Sequence, residues 1–335
     1  MKSERSIFVH LGLVAVAAAL AIGVWTRDKK AASLSSQADV TVWQGRAADV
    51  ERIAFEGKKK KVSLEAKEDK AGRYFVGTSD REAAPPAGDA GDGAPPEQAG
   101  KSGSFVSVGG ANKLAELLAP LKALRAIGRI GDDRIGEFGL DDPDGTLTVT
   151  IRGTERKLVF GGPTPGGSDR YARDPGSGEV YAVKGDIYRD LDAADSRLLE
   201  RDLHEWKDAD VVRARVLAGG KTRELTRGGA EGKKFWADPA SADQNDETAG
   251  NWMSKLDRLR PTEYVASAPE AKEVVARIEY AGADGELGFL ELVKGPPGSS
   301  GKPDYLLLTE RTRLHGKVPT SLAEQVEQDV SAVVK

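Results

Sequence analysis

The stretch VERIAFEGKKKKVSLEAKEDKAGRYFV, residues 50–76, alternates apolar and polar side chains on either side of two turns. Val50 to Phe55 has the period of a half-buried strand, Gly57-Lys58 turns the chain, Val62 to Ala66 returns, and Arg73 to Val76 makes a third strand. This is a β-meander. From Asp210 the same order restarts: Val211 to Leu217, the turn Gly219-Gly220, Thr222 to Arg227, and Lys234 to Ala237. Gly-Arg-Tyr-Phe-Val at 72–76 corresponds to Gly-Lys-Lys-Phe-Trp at 232–236.

A second kind of unit lies between the two meanders. Leu147, Val149 and Ile151 alternate with Thr, Gly153 turns the chain, and Leu158 to Phe160 returns as a hairpin. Arg170 to Arg173 and Glu179 to Val183 add two strands, and Ile187, Leu191, Leu198, Leu199 and Leu203 follow at helical intervals. This unit also recurs, as Val274 to Tyr280, Leu287 to Val293 and Tyr305 to Thr309, followed by a final helix with Leu322, Val326, Val330 and Val333 on one face. Ser321-x-x-Glu324 reads as its capping box. Leu114, Leu117, Leu118, Leu121 and Leu124 have helical spacing with a break at Pro120, and a further helix is expected around Trp252 to Leu259. The expected fold class is α+β: an N-terminal transmembrane helix, then a duplicated antiparallel meander-plus-helix architecture in the order A-B-A′-B′.

The run Ile7 to Trp25 contains no Asp, Glu, Lys or Arg over 19 residues. As a helix it would span roughly 28 Å, close to the thickness of a hydrocarbon core. Lys2 and Arg5 precede it, and Arg27, Lys29 and Lys30 follow. A cleaved signal peptide is the rival reading, but its apolar core would be shorter and would end in a small-x-small site, whereas this run ends in Gly-Val-Trp-Thr-Arg. The flanking charges nearly balance, so orientation rests on the six-residue leading tail and the long translocatable domain behind it. The expected topology is single-pass, N-in, with the large C-terminal domain outside the cytoplasm. The chain divides into a tail and anchor at 1–30, a tether at 31–47, a first repeat pair at 48–205 with a flexible Gly/Pro insertion at 83–103, and a second pair at 206–335.

Composition narrows the chemistry. With 49 Lys plus Arg against 53 Asp plus Glu, there is no basic excess to follow a phosphate backbone, and no nucleic-acid partner is expected. No Cys is present, which excludes disulfides and thiol catalysis, and the three His stand far apart. No Gly-x-Ser-x-Gly elbow occurs. Gly161 to Ser168 has phosphate-loop spacing but carries Gly167 where Lys is needed, with two Pro removing donors. His204-Glu205-x-x-Asp208 falls one residue short of a zinc-protease motif. The acidic loop Asp238 to Glu247 lacks the Gly of a calcium hand. No catalytic, cofactor-binding or metal-ligating residues are therefore assigned, no cofactor is expected, and a non-enzymatic protein is the reading. Surface contacts are expected from Lys58, Lys59, Lys60 and Lys61, which could meet anionic headgroups, and from Trp43. Trp43 and Trp236 are the rings an envelope glycan or polymer would stack on; an unrecognised hydrolase is the third reading. Tyr74, Phe75, Phe235 and Trp236, at equivalent strand positions, read as core.

Phe-Gly-Leu-Asp-Asp-Pro at 138–143, Phe-Gly-Gly-Pro-Thr-Pro at 160–165, Tyr171-Ala172-Arg173 and Val-Tyr-Ala-Val at 180–183 resemble a bacterial domain-of-unknown-function family, number 4340. The resemblance is specific over about 65 residues from Phe138 to Asp202. It implies a single-pass protein of the bacterial inner membrane, its C-terminal domain in the periplasm, whose gene often accompanies an ABC transporter permease and a gliding-motility-type auxiliary protein. Membrane protein partners of an ABC-transporter-like complex are thus implied by the resemblance, and so is an accessory or adaptor role.

Overall fold

The computed structural model describes residues 39–82, 101–230, 233–265, 267, 270, 272–297 and 301–335. The apolar run at 7–25 and most of the Gly/Pro insertion lie outside the described residues. Among those described, no helix is long and apolar enough to cross a membrane.

Strands dominate, with a few helices. β1 (Val40–Trp43) precedes a meander of β2 (Val50–Gly57), β3 (Lys60–Asp69), β4 (Gly72–Arg81) and β5 (Lys101–Ser107). Helix α1 (Gly109–Leu118), β6 (Leu121–Ala123) and β7 (Arg125–Arg129) lead to a second meander, β8 (Gly145–Ile151), β9 (Thr154–Pro163), β10 (Arg170–Arg173) and β11 (Glu179–Val183), with α2 (Gly185–Asp192) and α3 (Ala194–Arg197) behind it. Next come β12 (Arg213–Ala218), β13 (Lys221–Gly228), β14 (Phe235–Ala237) and α4 (Glu247–Leu256). The chain ends with β15 (Glu263–Tyr264), β16 (Glu273–Ala281), β17 (Glu286–Pro297), β18 (Pro303–Thr309), β19 (Gly316–Val318) and α5 (Thr320–Val333).

The pairings show how these pieces join. β2 lies between β3 and β8, with Phe55 opposite Val62 on one side and Leu147 on the other. β12 is placed alike, Val216 facing Arg223 of β13 and Ile278 of β16. β11 closes on β7, and β19 closes on β15. One rung, Tyr264 opposite Ser104, joins β15 to β5. The antiparallel ladder therefore runs without a break from β14 through β13, β12, β16, β17, β18, β19, β15, β5, β4, β3, β2, β8, β9 and β10 to β11 and β7.

Alternation decides which face each strand buries. In β8, Leu147, Val149 and Ile151 point inward while Thr146, Thr148 and Thr150 face out, the pattern of a sheet covered on one side. Two main cores result. The first packs Ile53, Phe55, Leu64, Phe75, Phe105 and Phe160 against Leu114 and Leu118 of α1. The second packs Val216, Leu225, Ile278 and Leu290 against Trp252 of α4 and Val326 of α5. They divide between Leu199 and Leu203, except that Tyr264 and the half-buried Leu314 join the first core.

The outer faces differ in chemistry. Arg215 of β12 sits between Glu224 (2.6 Å) and Glu279 (3.7 Å), making an ion ladder across three strands. On β2 the comparably placed Ala54 has Ser63 and Thr148 as its cross-strand neighbours.

Several expectations need correction. The tether at 31–47 is not free throughout: Val40–Trp43 pairs with Leu121–Ala123, because alternate side chains of this short segment fit the end of the first core. The insertion stops earlier than 103, since Lys101, Ser102 and Gly103 pair with Arg81, Asp80 and Ser79. Leu121 and Leu124 do not continue a helix; α1 ends at Leu118, and short strands begin two residues past Pro120's neighbour Ala119. Helix α5 begins at Thr320 behind Pro319 and has no side-chain cap, so Ser321 and Glu324 form no capping box.

Candidate functional site

Beyond Leu203 the chain carries two aromatic rings into the second core. His204 and Trp206 stack with centroids 4.0 Å apart and planes 20° from parallel. Tyr280 of β16 meets His204 edge-on at 5.1 Å and Trp206 at 4.8 Å. His204 Nδ1 lies 2.9 Å from Glu310 Oε1, and Glu310 Oε2 accepts the amide of Phe289 at 3.0 Å. With Nδ1 engaged by Glu310, Nε2 is the ring position left without a partner among the described residues.

Around this stack, four buried polar atoms have no partner among the described residues: His204 Nε2, Trp206 Nε1, the Tyr280 hydroxyl and Arg227 Nε. Burial pushes the Tyr280 phenol well above its ordinary range, and the foremost charge adding to that rise is Asp257.

Asp257 belongs to a cleft of about 530 Å3 between β13, β14 and α4. Asp246 fixes the start of α4 by accepting the amide of Ala249 at 2.9 Å, while Arg223 holds the same carboxylate at 2.6 Å. Glu247, Asn251, Ser254 and Asp257, at helical intervals, then face the cleft on one side. Opposite them, the Arg227 guanidinium lies 4.0 Å over the Trp236 ring and pairs with Asp208. Lys234 Nζ donates to the Ala209 carbonyl at 3.2 Å.

Asp257 is exposed at the surface, yet neighbouring protein desolvates its carboxyl and raises it above the usual range, with Asp208 adding to the effect. A raised folded-state value means that the folded chain holds this proton more tightly than the unfolded one. Stability is therefore fully present below the ordinary aspartate range and falls as pH rises through the raised value. Asp257→Asn should remove that fall, leaving the variant at least as stable as the parent at pH 7 and indistinguishable at pH 3. Thermal melts at the two pH values measure this, and a variant clearly less stable at pH 7 would contradict it.

The residues expected to form a contact surface are placed otherwise. Lys58 pairs with Asp142 at 2.7 Å and Lys61 with Glu56 at 2.6 Å, while Lys59 is exposed. Lys60 is buried, its Nζ donating to Asp195 at 2.6 Å and to the Asp192 carbonyl at 2.9 Å, because the strand's inward alternation carries its stem under α2 and α3. The four lysines therefore do not form one free positive surface. Trp43 is also corrected: it is buried in the first core and donates its indole N–H to the Leu118 carbonyl at 2.7 Å. Trp236 is buried beneath Arg227, so neither indole lies open to stack on a sugar. Phe75 is core as expected, and Tyr74 and Phe235 are half-buried.

The near-motif at 204–208 is pulled three ways, His204 to Glu310, Glu205 to Arg313 and Asp208 to Arg227. Among the described residues, no group of three His, Asp or Glu could hold a metal ion. Of Gly161 to Ser168, residues 161–163 end β9 and the rest belong to the connection to β10. Tyr280, Asp257 and Glu310 escaped the sequence reading. Each is a single residue on an ordinary strand, turn or helix end, and only the fold brings them to His204.

The motif residues from 138 onward make a third, smaller core. Phe138 and Tyr171 meet edge-on at 4.9 Å, with Leu140 and Val180 beside them. Gly139 has φ +63°, and a β-carbon there would lie 2.6 Å from the Gly162 amide, while one on Gly161 would lie 2.3 Å from the Phe138 carbonyl oxygen; the two Gly-rich segments cross with room for a side chain at neither Gly139 nor Gly161. Arg170 pairs with Asp144 and lies 3.9 Å over Tyr188, tying the Asp-Pro-Asp-Gly turn to α2. No curated protein and no solved structure matches the chain. Residues 110–276, which include this core and reach into the second meander pair, match the model of a domain of unknown function, DUF4340, and the chain belongs to that family.

Proposed function

We propose that this protein is a membrane-anchored periplasmic accessory or adaptor protein of an ABC-transporter-like complex, and that its folded part is a duplication of one joined pair of meanders. The duplication is supported by the pairings. β2 with β8 corresponds to β12 with β16, and β7 with β11 corresponds to β15 with β19. A short helical turn precedes both β2 and β12, at Ala47–Asp49 and Asp208–Asp210, and α1 and α4 hold the same place in the order.

The adaptor reading is carried by the sequence of the N-terminus, an apolar run at 7–25 bracketed by Lys and Arg and followed by a domain many times its length. Family membership supports it through the envelope setting that the family's resemblance implies. The anchor is expected to be retained: alkaline carbonate should leave the full chain in the membrane pellet, and a chain beginning at residue 31 should be released. Crosslinking in the native membrane followed by purification in mild detergent should recover a transporter permease or its ATPase. Repeated recovery of no membrane partner would overturn the adaptor reading.

A further inference from the structure

A hollow lies under α3, on the inner face of β4 and β5, near the single rung that joins β5 to β15. Alternation turns Gly77 and Ser79 of β4 to that face, opposite Phe105 and Gly103 of β5. The Phe105 ring fills the space over Gly77, where a β-carbon would lie 2.4 Å from it, but a β-carbon on Gly103 would meet nothing within 4 Å. A cavity of about 180 Å3 remains, lined by Ser79, Gly103, Phe105 and Leu199. That is many times the roughly 10–15 Å3 that one ordered water needs.

Ser79 points to an occupant. The residue is only 3% exposed and lines the cavity, and its hydroxyl has no hydrogen bond among the described residues. Buried hydroxyls are nearly always hydrogen-bonded, so one that faces a cavity instead of a neighbour finds its partner in the cavity. The charged groups around it are uncommitted as well. Glu263 makes no side-chain hydrogen bond or ion pair among the described residues, and Arg81 has only Asp195, at 3.9 Å, whose carboxylate already takes Lys60 at 2.6 Å. Lys60 and Arg81 offset Asp195 and Glu263, so the surroundings favour neither a free cation nor a free anion. A metal ion would need three His, Asp or Glu close together, and no such group occurs among the described residues. An open carboxylate, an open guanidinium and a buried hydroxyl beside an apolar wall suit a neutral ligand that donates and accepts hydrogen bonds and has one apolar face.

We propose that this cavity is a binding site for an uncharged polyhydroxylated ring of single-sugar size, its hydroxyls on Ser79, Arg81 and Glu263 and its C–H face against Phe105 and Leu199. The ring belongs either to a free sugar or to the end of a glycan. The site stands on its own geometry and does not depend on the adaptor reading.

Saturation-transfer NMR of the full chain, in a deuterated detergent without a sugar head group, tests this with D-glucose, N-acetyl-D-glucosamine and maltotriose. The controls are 1,4-dioxane, a six-membered ring without hydroxyls, and glycine, which is charged. At least one sugar should bind in the millimolar range or tighter, and neither control should. Binding of maltotriose as tight as that of the single sugars identifies a glycan end, and its exclusion identifies a free sugar. Gly103→Val puts its side chain into the cavity with no contact at its β-carbon, so it should fold and abolish binding. Ser79→Ala removes a hydroxyl that holds nothing among the described residues, so it should melt with the parent and weaken binding about fivefold. Binding of none of the sugars, equal binding of either control, or unchanged affinity in either variant would overturn the proposal.

Discussion

Replacing Glu200 by alanine is expected to lower the unfolding free energy by about 3–5 kcal/mol, the range for removing one partner of a buried charged pair. Glu200 is buried where the two main cores meet. Its Oε2 accepts from Arg311 at 3.1 Å and from the Gly109 amide at 3.3 Å, at the start of α1. Its Oε1 accepts the Asp202 amide at 3.0 Å. Its own amide donates to Val106 at 2.7 Å, and its carbonyl takes the Tyr264 hydroxyl at 2.9 Å. Alanine keeps the backbone bonds and removes the carboxylate, which strands the Arg311 guanidinium, itself largely buried. The exposed Asp202, 4.0 Å away, is poorly placed to replace it. Urea unfolding measures the loss. A double-mutant cycle with Arg311→Ala should show strong coupling, because removing both groups leaves no unpaired charge. A loss below 1 kcal/mol, with additive behaviour, would show that the pair does not hold the junction.

The second large effect is expected at Trp252. Trp252→Ala should destabilise by about 3–5 kcal/mol, as for other large aromatic residues truncated in a core. The side chain is 1% exposed and donates its indole N–H to the Val326 carbonyl at 3.0 Å, so one residue joins α4 to α5 by both volume and hydrogen bond. Polar ties beside it are Lys255 with Asp329, and Arg223, which bridges Asp246 and the Val333 carbonyl. Trp252→Phe retains most of the packing and loses the bond, so its loss should be nearer 1 kcal/mol. Denaturant midpoints of the two variants separate the contributions. Equal losses would mean that the hydrogen bond, not the filled volume, is what the position supplies.

Strands bounded by clear turn signals were legible before the structure, whether or not their side chains alternate. Arg170–Arg173 and Glu179–Val183 match to the residue, and the ladders around Val50, Val62 and Leu147 differ only in length. What escaped were short pieces defined by their neighbours. Val40–Trp43, Leu121–Ala123 and Glu263–Tyr264 are strands only because another edge receives them, and Leu121 and Leu124 imitate a helix in isolation. The grouping around His204 was illegible for a related reason. Asp257 and Tyr280 are 23 positions apart in sequence, and no local pattern distinguishes them from the other acids and tyrosines. Lysine 60 shows the opposite failure: a run of four like residues looks uniform in sequence, yet strand alternation sends one of them inside.

The single Tyr264 to Ser104 rung has a consequence for how the protein is made. Among the described residues, every other strand pairing of 40–199 closes within that stretch, so the first core, apart from Tyr264 and Leu314, can assemble while later residues are still being synthesised. At about 5–20 residues per second, β15 emerges on the order of ten seconds or more after β5. For that interval β5 is an open sheet edge, the kind of surface on which chains pair wrongly. Its sequence, Lys-Ser-Gly-Ser-Phe-Val-Ser, is half hydroxylated or charged and interrupted by Gly, which makes it a poor template for a stray strand while it waits for its own.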